Sequence, residues 1–540
     1  MPGWNFADIW EVCAEKLPDA PCQVQGDRTV TWGDFDRRAN GVAQWLLDLG
    51  VEEQDKVAQY LYNCPEYLES MFGVLKAGLV PVNTNYRYAD EELLYLWDNA
   101  DAVAVVFHGT FSDRIDTLRH KLPKIKGWLW VDDGRGECPD WATPYEDVAG
   151  AGGSEPVSGP WGRDGDHIYM LYTGGTTGMP KGVMWRQHDL VLSLNGASMG
   201  TRYDLAAPGK DTVRAALEAP GYAVMPACPL MHGTGAFTAF GGLFVGGKVV
   251  TLDNRHFEAD QLLDAVEREK VNVIAIVGDA FAKPILRELE ANPGRWDISS
   301  LFAMISSGVM WSEETKQGLL KHHAGMLLID AFSSSEALGM GQSVSSAGGA
   351  AKTAKFQLGE NAIVITDDGR RVEPGSGEIG MVAVKGRTPV GYYKDPEKTA
   401  KTFKVIDGER YSIPGDYATV EDDGTLRLLG RGSVCINTGG EKVFPEEVEE
   451  VLKTHPDVRD AVAVGVPDEK WGEAIIAVVE PQPGASPDEA DVIAHVKARL
   501  AAYKAPKRVL TVATIGRAPN GKVDYKRLRA EATDRVAASS

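Results

Sequence analysis

Positive charge is scarce in this chain. Lysine and arginine number 56 against 77 acidic residues, a net charge of −21, and a protein of that sign is not expected to bind nucleic acid as a whole. Cysteine is scarcer: Cys13, Cys22, Cys64, Cys138, Cys228 and Cys435 are scattered with no C-x-x-C pair. That argues against a zinc ligand set and a disulfide framework, and fits a reducing, cytoplasmic setting. Long hydrophobic runs are missing, and nothing approaches the ~18 consecutive apolar residues of a membrane span. The opening Met1-Pro2-Gly3-Trp4-Asn5-Phe6 has neither the basic nor the apolar region of a secretory signal. Internal repeats and long low-complexity segments are also absent.

What remains is the composition of a soluble globular protein, 44% hydrophobic and 25% charged. A chain of 540 residues exceeds one ordinary core, so two or more domains are expected. Residues 29–110 alternate short strand patterns with helical ones: strands at 29–32, 56–61, 79–83 and 102–107, and helices at 34–49, from Pro65, and at 90–99. Such alternation predicts a parallel sheet with helices on its faces. Residues 203–222 are polar and broken by Gly and Pro, and read as a surface loop or part of a substrate lid, with the loop preferred.

One stretch stands out: Tyr172-Thr173-Gly174-Gly175-Thr176-Thr177-Gly178-Met179-Pro180-Lys181-Gly182, following the apolar run 167–171. Its glycines let backbone N–H groups approach an anion closely, its threonines add hydroxyl donors, and Lys181 adds a full positive charge. A Gly-Gly pair alone is more often a plain turn. The string is not a Walker A loop, because Met179 and Pro180 separate glycine from lysine and Gly182 stands where a Mg²⁺-binding hydroxyl is needed.

This string resembles the phosphate loop of the adenylate-forming superfamily, which includes acyl-CoA synthetases, adenylation domains and luciferases. The resemblance extends over roughly residues 6–529, through further motifs in the family's order. His232, in Pro229-Leu230-Met231-His232-Gly233, coincides with the family's acyl-channel position, and Asp279 and Phe281 fall near its acyl-pocket residues. The strand 302–307 ending in Gly308 is similar to the adenine-flanking segment. In Phe332-Ser333-Ser334-Ser335-Glu336 the resemblance implies Phe332 on adenine, Ser335 at the α-phosphate and Glu336 on Mg²⁺. One carboxylate beside phosphate oxygens suits that ion, although Ser-Glu is also common at helix N-caps. Asp416, with Arg431 fifteen residues later, resembles the ribose motif.

The stretch 430–444, containing Gly439 and Gly440, resembles the hinge and the opening of the C-terminal domain, with Val434 where the family has Asp or Lys. Pro445-Glu446-Glu447 is a helix start. Lys522, in Asn520-Gly521-Lys522, matches the lysine that enters the active site during adenylation. Between Val492 and Arg529 ten basic residues face a single acid, Asp524; this is either a solvated face or a phosphate-facing surface.

The resemblance implies an α/β fold: a large multilayered N-terminal domain (1–430) with parallel sheets and helices, and a small mobile α+β C-terminal domain (431–540). It implies an ATP-dependent acyl-CoA synthetase, most like bacterial fatty-acyl and steroid-side-chain enzymes, using ATP, Mg²⁺ and coenzyme A on a small-molecule carboxylic acid, a fatty acid or a steroid side-chain acid. Lys522, Lys181 and Glu336 would be catalytic. Thr173, Gly174, Gly175, Thr176, Thr177 and Gly178 would cradle phosphate, and Gly439 and Gly440 would admit CoA. A homodimer stays open, and so do a free-standing acyl-AMP ligase, a luciferase-like oxygenase and a nucleotide-binding regulator without catalysis.

Overall fold

The computed structural model describes residues 3–173, 179–197, 203–309, 311–349, 352–438, 441–468, 471–518 and 521–538. Within these, the chain divides into two compact units: residues 3–353 with 385–412, and residues 354–384 with 413–538.

The first unit is built on two sheets. One runs in the order Gly391–Tyr392, Lys181–Arg186, Ile168–Thr173, Val80–Asn83, Lys56–Tyr60, Ala102–His108, Gly127–Val131, Thr143–Pro144. The strands from Ile168–Thr173 to Thr143–Pro144 pair in parallel. Their buried Val/Ala-rich runs suit a sheet covered on both faces. Lys181–Arg186 turns back antiparallel, pairing Thr173 with Lys181.

The other sheet runs parallel from Pro21–Gln25 through Lys248–Thr251, Ala223–Pro226, Val273–Ile276 and Ala303–Ser307 to Leu327–Ser334. It closes with an antiparallel hairpin to Ala337–Ser345. The helices Phe6–Lys16, Trp32–Asp48 and Pro65–Lys76 pack their aromatic faces together: Trp10 meets Phe72 edge-on at 5.3 Å, and Phe35 meets Phe72 at 4.9 Å. Pro65 opens its helix at the first position, where no N–H partner is needed.

Beside this core lies a buried ionic network. The fully buried Lys76 ammonium sits 2.7 Å from Glu11 and 2.8 Å from Asp36, and Arg163 forks onto Glu11 at 2.7 and 2.8 Å. Residues 203–222 join the network and correct the loop expectation. They contain the helix Lys210–Ala216, with Val213 and Leu217 buried, and Lys210 and Arg214 pair with Glu11 and Glu15. The helix is only seven residues long, too short to show a helical period. It is held down by acids on Phe6–Lys16, a long-range partnership that local pattern does not reveal.

The second unit has an antiparallel sheet of Lys355–Leu358, Leu426–Arg431, Asp416–Val420 and Gly380–Lys385, with Ala362–Ile365 beside the last. Its other sheet holds Glu441–Val443, Ile436–Thr438, Gly472–Pro481 and Val458–Asp468, with Arg508–Thr511 parallel to Gly472–Pro481. The helices Pro445–Lys453, Glu489–Lys497 and Tyr525–Ala538 complete this α+β assembly. Ile475, Ala477 and Val479 bury against one side chain cluster, and Ile476 and Val478 against another, as strand alternation requires. The mixed α/β class, with a large part of parallel sheets and helices and a small α+β part, is the one the sequence implies. Among the described residues, no helix is long and apolar enough to cross a membrane.

Candidate functional site

The strand Ile168–Thr173 delivers Thr173 to the edge of the glycine-rich loop, and Lys181 begins the returning strand. Gly174, Gly175, Thr176, Thr177 and Gly178, and likewise Gly439 and Gly440, lie outside the described residues. The Lys181 ammonium is ion-paired with Asp395, which caps the helix Pro396–Thr402 by accepting from the Lys398 N–H at 2.9 Å. The Lys181 hydrogen bond, followed by the capping N–H, holds the Asp395 carboxyl below its ordinary range.

Glu336 sits in the turn between Leu327–Ser334 and Ala337–Ser345, so Ser335-Glu336 is a hairpin turn and not a helix cap. Tyr392 donates its hydroxyl to Glu336 Oε1 at 2.7 Å, and Ser412 donates to the Glu336 carbonyl at 2.7 Å. The Trp185 indole N–H donates to the Ser335 carbonyl at 2.9 Å, tying the lysine's strand to the glutamate's turn. Lys181 and Glu336, 155 positions apart by their numbering, thus both meet the short segment 391–395. Phe332 is buried on the strand before this turn, and Gly308 follows the neighbouring strand with φ +93°, a left-handed conformation that favours glycine.

Asp416 and Arg431 face each other across their antiparallel strands, and Arg431 Nε donates to the buried Asp416 Oδ1 at 3.1 Å. Lys522 lies in a turn closed by two backbone bonds, Gly521 N–H to Ala518 O at 2.8 Å and Ala518 N–H to Lys522 O at 2.9 Å. Arg517 bolts this turn down. Its guanidinium forks onto Asp460 at 2.6 and 2.8 Å and donates to the Gly521 carbonyl at 3.1 Å.

The three acyl-pocket candidates have other neighbours. Asp279 opens the helix Asp279–Ala291, accepts from Ser312 N–H and Oγ at 3.1 and 3.0 Å, and pairs with Lys283 at 3.2 Å. Phe281 is buried edge-on against Phe257 at 4.7 Å. His232, half-buried, precedes the helix Gly233–Leu243 and gives its carbonyl to the Ala236 N–H. The basic C-terminal stretch is not a bare cationic patch either. Lys504 pairs with Glu447, Arg508 with Glu489, Arg517 with Asp460, Arg527 with Glu531 and Arg529 with Glu473.

Sequence reasoning missed Tyr392, Asp395 and Trp185 as neighbours of the candidates. The Asp395-Pro396 pair carries a readable signal, since Asp before Pro marks a helix N-terminus; its tie to Lys181 has none. Glu446 reads in the sequence only as a first-turn acid of its helix. Its carboxyl lies under Gly430, where a Cβ would come within 2.1 Å of Glu446 Oε2. Burial, aided by the charges of Glu449 and Asp416, pushes this carboxyl up to about 8.

Two largely parallel sheets, a strand opening on Lys181 and tied to the carboxylate turn, and a lysine-bearing α+β unit match the adenylate-forming architecture that the sequence implies. The family model described as AMP-binding enzyme matches residues 10–393, and the AMP-binding enzyme C-terminal domain matches residues 447–522. The chain belongs to the AMP-binding enzyme family. It is 41% identical over 530 residues, spanning 97% of this chain and 95% of the relative, to a medium/long-chain-fatty-acid–CoA/3-oxocholest-4-en-26-oate–CoA ligase of Mycolicibacterium smegmatis. It is likewise 41% identical over 530 residues, with 97% and 95% covered, to a 3-oxocholest-4-en-26-oate–CoA ligase of Rhodococcus rhodochrous. The crystal structure of the anthranilate CoA ligase AuaEII in complex with anthranoyl-AMP shares the fold, with a TM-score of 0.83 at 22% identity, covering 100% of this chain and 99% of that one.

Proposed function

We propose that the chain is an ATP-dependent acyl-CoA synthetase that works through an acyl-adenylate. The observation that carries this reading is the 41% identity, over 97% of the chain, to a protein named as a fatty-acid and 3-oxocholest-4-en-26-oate CoA ligase. The same name supports a fatty acid or a sterol side-chain acid as the substrate. In the first half-reaction a carboxylate oxygen attacks the α-phosphorus of ATP, the bond to pyrophosphate breaks, and pyrophosphate leaves. In the second the CoA thiol loses its proton, its sulfur attacks the acyl carbon, and AMP departs.

Neither half-reaction calls for a protein nucleophile, so catalysis rests on positioning and on charge placed where negative charge gathers. Lys181 and the loop from Thr173 would hold the polyphosphate, and Ser335 would meet the α-phosphate. Phe332 and Gly308 would flank adenine, with Asp416 and Arg431 toward the ribose. Among the described residues no group of three or more His, Cys, Asp or Glu could hold a metal ion. A lone half-exposed carboxylate such as Glu336 does fit Mg²⁺, which binds few protein carboxylates alongside phosphate oxygens. When bound, Mg²⁺ supplies charge neutralisation for the pyrophosphate leaving group.

Lys522 would bridge the carboxylate and the α-phosphate. We place the division between the ATP- and acid-binding part and the lysine-bearing part at 430/431, with Gly439 and Gly440 toward CoA. His232, Asp279 and Phe281 would lie toward the acyl group. A cytoplasmic setting fits these substrates. The test is pyrophosphate release with a panel of carboxylic acids, with and without CoA, and mass spectrometry of the thioester. CoA-dependent thioester from fatty or sterol acids is expected; pyrophosphate release with no thioester formed would point to an acyl-AMP ligase instead.

A further inference from the structure

The segment 391–395 is anchored at every step. Gly391 and Tyr392 pair with Met184 and Val183 on the strand that begins at Lys181. The Tyr393 N–H donates to the Gly182 carbonyl at 2.8 Å, and the Tyr393 hydroxyl donates to Asp101 at 2.7 Å. Lys394 pairs with Asp101 at 2.6 Å, and Asp395 caps the following helix. Two side chains of this fixed segment reach the two charged groups assigned above to the polyphosphate and its cation. The buried Tyr392 gives its hydroxyl to Glu336 Oε1, and Asp395 neutralises Lys181.

We infer that Tyr392 and Asp395 are opposed positioning residues for nucleotide binding: Tyr392 aims the Glu336 carboxylate at the cation, while Asp395 holds Lys181 until polyphosphate displaces it. The inference rests on the reading of Lys181 and Glu336 given under the proposed function. A hydrogen bond to one carboxylate oxygen fixes the rotation of the group and leaves Oε2 to face a ligand. Partners of this kind behind a metal ligand are typically worth about 10–100-fold in metal affinity. Asp395 acts in the other direction. Its side chain is 28% exposed and that of Lys181 38%, so the pair is partly screened, and breaking it for a phosphate oxygen costs only a few-fold in binding. In that exchange no covalent bond changes; one anion replaces another at the ammonium.

The experiment is isothermal titration calorimetry of ATP into the full chain, once in EDTA and once in excess Mg²⁺. Tyr392→Phe keeps the ring in place and is expected to leave metal-free affinity unchanged while cutting the Mg²⁺ enhancement about tenfold. Asp395→Asn keeps a capping side chain and is expected to tighten metal-free ATP binding roughly two- to fivefold. Glu336→Ala and Lys181→Ala test the underlying reading, the first through the loss of the Mg²⁺ enhancement and the second through weaker metal-free binding. If these two variants bind like the parent, the reading falls and the inference with it. If they respond as stated but Tyr392→Phe shifts both conditions equally, or Asp395→Asn weakens ATP, the inference alone is overturned. Because the two variants report on opposite arms, a folding defect in one leaves the other decisive.

Discussion

Glu446 offers a pH dependence whose sign and size can be worked out. Its carboxyl is enclosed under Gly430 and Arg431, with Glu449 and Asp416 as acidic neighbours. Burial and those charges raise it from an ordinary 4.5 to about 8 in the folded chain. Below pH ~4.5 both the folded and the unfolded chain hold this proton, and the associated stability is fully present. Between ~4.5 and ~8 the unfolded chain releases the proton and the folded chain keeps it, so stability falls as pH rises. Above ~8 the loss is complete. A difference of about 3.5 units at 1.36 kcal/mol each sets a ceiling of about 5 kcal/mol, and relaxation brings the effect to the order of 2–5 kcal/mol.

Glu446→Gln removes the titration while keeping the shape. The assay is hydrogen exchange of amides in the helix Pro445–Lys453, corrected for intrinsic rates, from pH 5 to 9 in both proteins. Glu449 is also raised and Asp460 lowered, so the difference between parent and variant reports Glu446 together with its coupling to Glu449. The two should match at pH 5, and the variant should be the better protected at pH 8. Parallel curves over the whole range would refute the reasoning.

Four further outcomes are expected. Lys76→Met leaves the half-buried Asp36 without this cation and should destabilise the first unit by about 3–5 kcal/mol in thermal melts; an unchanged melting temperature would count against a buried pair. Gly430→Ala places a Cβ 2.1 Å from Glu446 Oε2 at φ +131° and should cost more than ~1 kcal/mol, read by the same exchange assay. Lys522→Ala should lower acyl-adenylate formation on the order of 10²–10³-fold while thioester formation from pre-made acyl-adenylate persists; equal loss in both would remove the half-reaction selectivity. Arg517→Lys keeps the charge but loses the fork onto Asp460, and adenylation should fall about tenfold or more with the second half-reaction spared; equal effects on both would make Arg517 merely structural.

Much of the fold was legible because the apolar pattern is local. The helix expected at 34–49 is Trp32–Asp48, and the strand at 102–107 is Ala102–His108. The helix Lys210–Ala216 was not, because ion pairs to Glu11 and Glu15 hold it where hydrophobic periodicity would otherwise speak. At the candidate site the motif residues were visible as unusual local strings. Their partners were not: Tyr392 reaches Glu336 across 56 residues and Asp395 reaches Lys181 across 214, and register between strands decides such contacts. The pairing of the basic tail was not legible for a related reason. Charge along a sequence says nothing of the acids that fold against it, and five of its cations are so matched.

In the proposed first half-reaction a carboxylate oxygen attacks the α-phosphate of ATP, and an ¹⁸O-labelled fatty or sterol side-chain acid that supports turnover, given with ATP, Mg²⁺ and CoA, reports that attack. Mass spectrometry of the nucleotide products should find AMP carrying one ¹⁸O and pyrophosphate carrying none. Formation of ADP with the label in inorganic phosphate would mean an acyl-phosphate route and would contradict the account.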